Sequence, residues 1–170
     1  MKQINNKAFT LVELLVVVLI IGILAAIAVP QYQKAVLKAD LHRGIALVES
    51  LYQAQQVYAL THGDFATDID TLDISLPLNE TCEKIQTEKL SKYVCDFGTI
   101  GFIDELRDIY FTPKSYITYV HFFKDYSTIF KAGERWCFAS PNNTIAQDVC
   151  QSIGGEFFDE TRVWKRYKLN

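Results

Sequence analysis

The chain has no C-x-x-C pair, and its three histidines, His42, His62 and His121, stand far apart. A zinc site built from closely spaced ligands is therefore not expected. It has no G-x-S-x-G elbow, no phosphate-binding P-loop and no H-E-x-x-H helix, so the constellations of those enzyme classes are missing. Isolated Ser and His residues read as ordinary core or surface residues; a hydrolase is a distant alternative, and no cofactor is implied. No internal repeat or low-complexity tract is present. Nor is there an excess of positive charge: the formal net charge is −3, which argues against a generic nucleic-acid binder. The most telling absence is local, for Leu14 to Val29 contains no charged or polar side chain at all.

That absence defines the stretch the chain is organised around, FTLVELLVVVLIIGILAAIAVP from Phe9 to Pro30. As a helix rising ~1.5 Å per residue, Phe9 to Val29 measures roughly 30 Å, about one bilayer core. One carboxylate, Glu13, sits near its head. In a membrane helix an ionised carboxylate costs about 2.5–3.5 kcal/mol, so it needs a partner or a reason. Two plain readings fit the composition. One is a secretory signal, with Lys2 and Lys7 as its basic region, Leu14 to Ile27 as its apolar region and Ala26-Ile27-Ala28 as the cleavage site. It would release a soluble secreted binding domain after Ala28. The other is a simple single-span anchor in which Glu13 snorkels. Charge flanking does not separate them, because Lys2 and Lys7 on one side face Lys34, Lys38 and Arg43 on the other.

The register of Lys7-Ala8-Phe9-Thr10-Leu11-Val12-Glu13 resembles the processing site of type IV pilins and pseudopilins. Those proteins have a short basic leader, a cut before Phe and a Glu at the fifth mature position. The following LLVVVLIIGILAAIAVPQYQKAV resembles the pilin N-terminal helix, and Pro30 falls at the twenty-second mature position. The resemblance covers Lys7 to Val36. It implies a leader of residues 1–8, cleavage between Ala8 and Phe9 by a prepilin peptidase, and methylation of the Phe9 amine by the same enzyme. It also implies an assembly role for Glu13, paired with the terminal amine of a neighbouring subunit, and a helix kink at Pro30. Its partners would be other copies of itself and related pilins, an inner-membrane assembly machinery, and the lipid bilayer before assembly; nucleic acid is not an expected partner. The implied location is the bacterial inner membrane as a single-pass precursor with a periplasmic head, then a surface pilus or periplasmic pseudopilus. A pseudopilin of a type II secretion system is the alternative within the family. One residue departs from the pattern: Ala8 stands where the family usually has Gly, and cleavage is expected to survive at a reduced rate.

Four cysteines, Cys82, Cys95, Cys137 and Cys150, form two C-x12-C units. An even count in an exported domain reads as two disulfides. Three connectivities are open, and the local one, Cys82–Cys95 with Cys137–Cys150, is the expectation. Closing loops of that size contributes about 3 kcal/mol each in the chain-entropy model.

Beyond Pro30 the pattern becomes amphipathic. Leu37, Leu41, Ile45, Val48, Leu51, Tyr52, Tyr58 and Ala59 recur at spacings of three and four, so a helix continues to His62-Gly63-Asp64, with Gly63 as a left-handed cap and Gly22 and Gly44 as weaker spots. Residues 9–62 then form one helix, of which 9–30 is the transmembrane or assembly half. Such a helix is too long for the small domain it serves, so much of it must project.

Residues 63–98 read as irregular. Asp64, Asp68, Asp70 and Asp73 crowd this stretch, and Asp68, Asp70 and Asp73 are a weak calcium candidate whose spacing fits no EF-hand loop; a solvated acidic loop is favoured. Glu80 to Lys92 is ambiguous between short helix and loop. Strands are expected near residues 93–97, 109–112, 116–123, 127–131 and 135–138, with turns at Lys124-Asp125 and Ala132-Gly133. A short helix follows at 143–155, with Thr144 and Gln147 as its capping box and Gly154-Gly155 as its stop. RVWKRYKL reads as a last strand, in which Arg162, Trp164, Lys165, Arg166, Tyr167 and Lys168 interleave charge with aromatics. That strand suits a single-stranded nucleic acid or, as favoured here, a charged edge that resists aggregation. The fold class is α+β: a long N-terminal helix packed on an antiparallel sheet formed by residues 63–170.

Overall fold

Thr10 opens a helix that runs for 52 residues, α1 (Leu11–His62). In a computed structural model of the chain, residues 9–77, 81–88, 90–103, 108–113, 117–123, 125 and 127–170 are described. The expected leader with the cleavage residue Ala8, Glu80 at the head of the Glu80–Lys92 segment, residue 116 of the expected 116–123 strand and Lys124 of the expected turn lie outside them. Helix α1 passes through Pro30 without a break, although proline has no N–H to give the Ala26 carbonyl. It stops at Gly63, whose φ of 81° is left-handed and whose N–H bonds Ala59 O at 2.9 Å.

The two halves of α1 differ in what covers them. Leu11 to Val29 are exposed throughout, whereas Leu41, Gly44, Leu47, Val48, Leu51 and Gln55 are buried. The buried stripe keeps the expected period, but it includes Gly44, Leu47 and Gln55, which the apolar pattern passed over. Gln55 holds the chain that follows the helix: its amide donates to Ala66 O and accepts from Ala66 N, both at 2.9 Å.

The head is one eight-stranded antiparallel sheet: β1 (Glu83–Gln86), β2 (Leu90–Cys95), β3 (Gly98–Ile103), β4 (Asp108–Thr112), β5 (Ile117–Phe122), β6 (Arg135–Ala139), β7 (Gly155–Glu160) and β8 (Lys165–Leu169), in the order β1-β2-β3-β4-β5-β6-β8-β7. A second helix, α2 (Thr144–Ser152), lies beside α1 on the same side. Its cap is Asn143, whose Oδ1 accepts from Ala146 N, rather than Thr144; Gln147 bonds Ser140 O and Pro141 O instead of closing a capping box.

Alternation along β3, β4 and β5 sends Ile100, Phe102, Ile109, Phe111, Ile117 and Tyr119 under α1 to form the main core. On the opposite face Val120, Phe122 and Trp136 form a smaller cluster, partly covered by Phe130. Three expectations are corrected. The 63–98 stretch contains two strands and the start of a third, so the described residues of the Glu80–Lys92 segment, read as short helix or loop, supply β1 and the start of β2. Residues 127–131 are no strand: they form a loop that folds Phe130 over the outer face. Gly155 begins β7 rather than ending a segment, so β8 is paired on both sides and is not an edge.

Candidate functional site

At the start of α1 a threonine and a glutamate close on each other. Thr10 has extended backbone (φ −80°, ψ 151°), and its Oγ1 accepts from Glu13 N at 3.2 Å. In return Glu13 Oε2 accepts from Thr10 N at 2.8 Å and from Thr10 Oγ1 at 2.6 Å. This is a reciprocal cap, and the T-x-x-E spacing needed for it was legible in the sequence. It satisfies two groups that a helix start otherwise leaves open, and it places a negative charge at the positive end of the helix dipole. Both Thr10 bonds fall on the same carboxylate oxygen, and among the described residues no donor reaches Oε1. Phe9 precedes the cap, 76% exposed.

Behind that carboxylate stands bare apolar surface. Val12, Leu15, Leu19, Ile23 and Ile27 are each more than half exposed, and nothing in the head reaches them. The helix is long and apolar enough to cross a membrane, and the most apolar part has no buried share in the chain's own fold. Each such side chain left in water forgoes about 1.5–3 kcal/mol of burial. Lipid or another copy of the same surface can cover it.

The amphipathic half of α1 is fixed to the head by polar contacts as well as by the core. Tyr119 of β5 donates to Glu49 Oε1 at 2.5 Å, and His121 Nδ1 lies 3.3 Å from Glu49 Oε2. The His121 ring stacks on Tyr52 at 3.7 Å. Burial lowers the His121 pKa, overriding the opposite pull of the Glu49 charge, and burial together with the Glu49 bond pushes the Tyr119 hydroxyl upward. Lys34 reaches Asp148 of α2 at 3.1 Å, and Lys38 donates to Ser152 O. None of these pairs was visible in sequence, since each joins residues at least 69 positions apart.

The disulfides join Cys82 to Cys95 and Cys137 to Cys150. The acidic loop turns out differently from a metal site. Lys84 Nζ sits 2.7 Å from Asp68 Oδ1 and 2.6 Å from Asp70 Oδ2, and Tyr93 donates to Asp70 at 2.5 Å. The Lys84 and Tyr93 bonds hold Asp70 below its usual value; for Asp68, burial pulls upward but the bonds from Lys84, Asp70 N–H and Ser91 prevail. An ammonium therefore stands where calcium was considered, Asp73 is exposed away from it, and among the described residues no group of acids is arranged for a metal. The basic strand is likewise engaged: Arg166 pairs with Asp159, Lys168 with Glu134 at 2.5 Å, and Lys165 with Glu160 at 3.6 Å.

Residues 4–29 match the family model of the prokaryotic N-terminal methylation motif. The chain is 42% identical over 63 residues to a fimbrial protein of Neisseria meningitidis serogroup A, a match covering 37% of each chain. It is 38% identical over 72 residues to the type IV major pilin protein PilE1 of Neisseria gonorrhoeae, covering 42% of this chain and 44% of that one. A fimbrial protein of Pseudomonas aeruginosa is 50% identical over 51 residues, 30% of this chain and 33% of the relative. The chain thus aligns with less than half the length of these relatives. No solved structure matches it. The matched relatives carry the names of fimbrial proteins and type IV major pilins.

Proposed function

We propose that this type IV pilin-family chain is a structural subunit of a helical surface fibre, and not an enzyme. The observation that carries the reading is the exposed apolar half of α1 with Glu13 capping its head. That surface serves twice in succession. In the precursor it spans the inner membrane, with the head on the periplasmic side. In the fibre, sister helices replace lipid around it. Prepilin peptidase removes residues 1–8 before Phe9 and the new amine is methylated, as the methylation motif supports.

Cleavage supplies a cation beside a carboxylate that has an oxygen to spare. The Phe9 amine of one subunit and Glu13 of the next then pair away from water, where an unpaired carboxylate would be expensive. Thr10 contributes by holding Glu13 in one orientation before the partner arrives, which reduces the entropy lost on docking. Pro30 sits at the junction of the two halves, where the missing hydrogen bond gives α1 a place to bend. The assembly machinery of the inner membrane is the further partner this function requires. The unbroken run of α1 through Ala28 supports retention of the helix over release of a soluble domain at that point. A pseudopilin subunit would use the same helix and cap.

N-terminal sequencing of exported protein tests the processing step. A mature chain beginning with methylated Phe9 is expected. A mature chain beginning at Val29 would contradict the proposal.

A further inference from the structure

A cavity of about 490 Å³ opens on the outer face of the sheet, away from α1, lined by Tyr110, Phe122, Phe130, Phe138 and Trp164 together with Asp108. Its size is that of a small-molecule site. Strand pairing explains how it forms. Asp108 stands opposite Phe122, Tyr110 opposite Val120, and Phe138 opposite both Thr118 and Arg166, so alternate residues of β4, β5, β6 and β8 share this face. The loop after β5 lays Phe130 across Phe122 and Trp136, at ring distances of 4.9 and 5.0 Å.

The threonines and the arginine of the cavity are bonded internally. The Thr112 and Thr118 hydroxyls bond each other at 2.9 Å. The Thr161 hydroxyl donates to Trp164 O and accepts from Trp164 N. Arg166 is neutralised by Asp159 through two hydrogen bonds. Asp108 is only 6% exposed; its carboxylate accepts from the Ile103 backbone N–H, but among the described residues its Oδ1 has no hydrogen-bond partner. A buried acceptor in that condition is costly unless something else reaches it. One aromatic wall already draws in a cation of the chain itself: the Arg166 guanidinium lies 5.3 Å from the Phe130 ring.

We propose that this cavity binds a small organic ammonium ion, with the Asp108 carboxylate against the charge and the aromatic rings around its alkyl groups. Ring faces and one carboxylate are the chemistry that recognises such cations. A sugar would have apolar faces to stack but would need more polar partners than the Tyr110 hydroxyl and the Trp164 indole N–H, since the threonines and Arg166 are already taken. An uncharged apolar ligand would leave Asp108 Oδ1 without a partner.

The test uses the full-length chain in an uncharged, choline-free detergent at pH 8, titrated with choline while tryptophan fluorescence is followed. Its neutral carbon analogue 3,3-dimethylbutan-1-ol and methyl β-glucoside are run beside it. Saturable quenching by choline is expected, with the alcohol and the glucoside each at least about tenfold weaker. Asp108→Asn, which preserves shape, should weaken choline by about tenfold or more, and Trp164→Leu by several-fold, in variants that keep both disulfides and an unchanged circular dichroism spectrum. Absence of choline binding, equal affinity for the neutral alcohol, preference for the glucoside, or unchanged affinity in Asp108→Asn would each overturn the proposal.

Discussion

The ring of Phe111 on β4 occupies the place where a side chain on Gly44 of α1 would begin. A Cβ built on Gly44 would lie 1.7 Å from Phe111 Cδ1. Gly44 therefore marks a close approach of helix and sheet, and what read in sequence as a weak spot in the helix is a packing requirement.

Two effects compete when Gly44 becomes Ala. Helix propensity favours Ala by about 0.8–1.0 kcal/mol. Overpacking a core that cannot yield costs about 1–3 kcal/mol, and a Cβ placed 1.7 Å from a fully buried ring is of that kind. Gly44→Ala should thus lower the thermal midpoint of the head. Combining it with Phe111→Leu, which clears space, should recover part of the loss. A stabilised Gly44→Ala single variant would mean that the ring moves aside freely.

Stability of the head should also depend on Asp108. Burial pushes its pKa up to about 7, against roughly 3.9 in an unfolded chain. Between those values the folded state holds a proton that the unfolded state has released. Stability therefore falls as pH rises from about 4 through 7, by up to about 4 kcal/mol in all. Asp108→Asn removes this dependence and should be more stable than the native chain at pH 8, with little difference near pH 4. Urea unfolding of both proteins at the two pH values checks this, and parallel pH dependence in the variant would contradict it.

The two disulfides differ in access. Cys137 and Cys150 are completely buried between β6 and α2, whereas Cys82 and Cys95 are partly exposed beside the outermost strand pair. Dithiothreitol acting on the folded protein should open Cys82–Cys95 first, as read by timed alkylation and peptide mapping. Losing Cys137–Cys150 by paired substitution should cost about 2–5 kcal/mol. Faster opening of the buried bridge would refute the ordering.

What the sequence made legible was whatever is periodic or contiguous. The apolar half-helix, the Gly63 stop, β4 to β6 and the position of α2 follow from patterns within a few residues of each other. β3 escaped notice because Gly98 and Gly101 interrupt GTIGFI, though Gly101 is there because Lys92 and Ser91 of β2 leave no room for a Cβ. β7 was hidden because GEFFDE puts adjacent aromatics on opposite faces of an exposed edge strand with a register shift between Phe157 and Asp159. Residues 127–131 have strand composition, yet the outer-face aromatics claim Phe130 and tertiary packing overrides local preference. Of the candidate site, Glu13 and its register stood out at once. Its cap on Thr10 was equally open to reading and was overshadowed by the membrane question. The Lys84 bridge to Asp68 and Asp70 depends on β1 being a strand, so it could not be anticipated from an acidic run alone.

Fibre assembly by Glu13 is the claim on which the account turns, and Glu13→Ala measures it. The helix cap should weaken by about 0.5–2 kcal/mol at one frayed end, leaving membrane insertion, cleavage before Phe9 and the disulfide-bonded head intact. The decisive measurement is the yield of sheared surface fibre from cells expressing only Glu13→Ala, normalised to the subunit in the membrane. The account predicts near-complete loss, with Glu13→Gln also strongly reduced because it keeps the shape and lacks the charge. Normal fibre yield from Glu13→Ala would contradict it and leave the carboxylate as a helix cap alone.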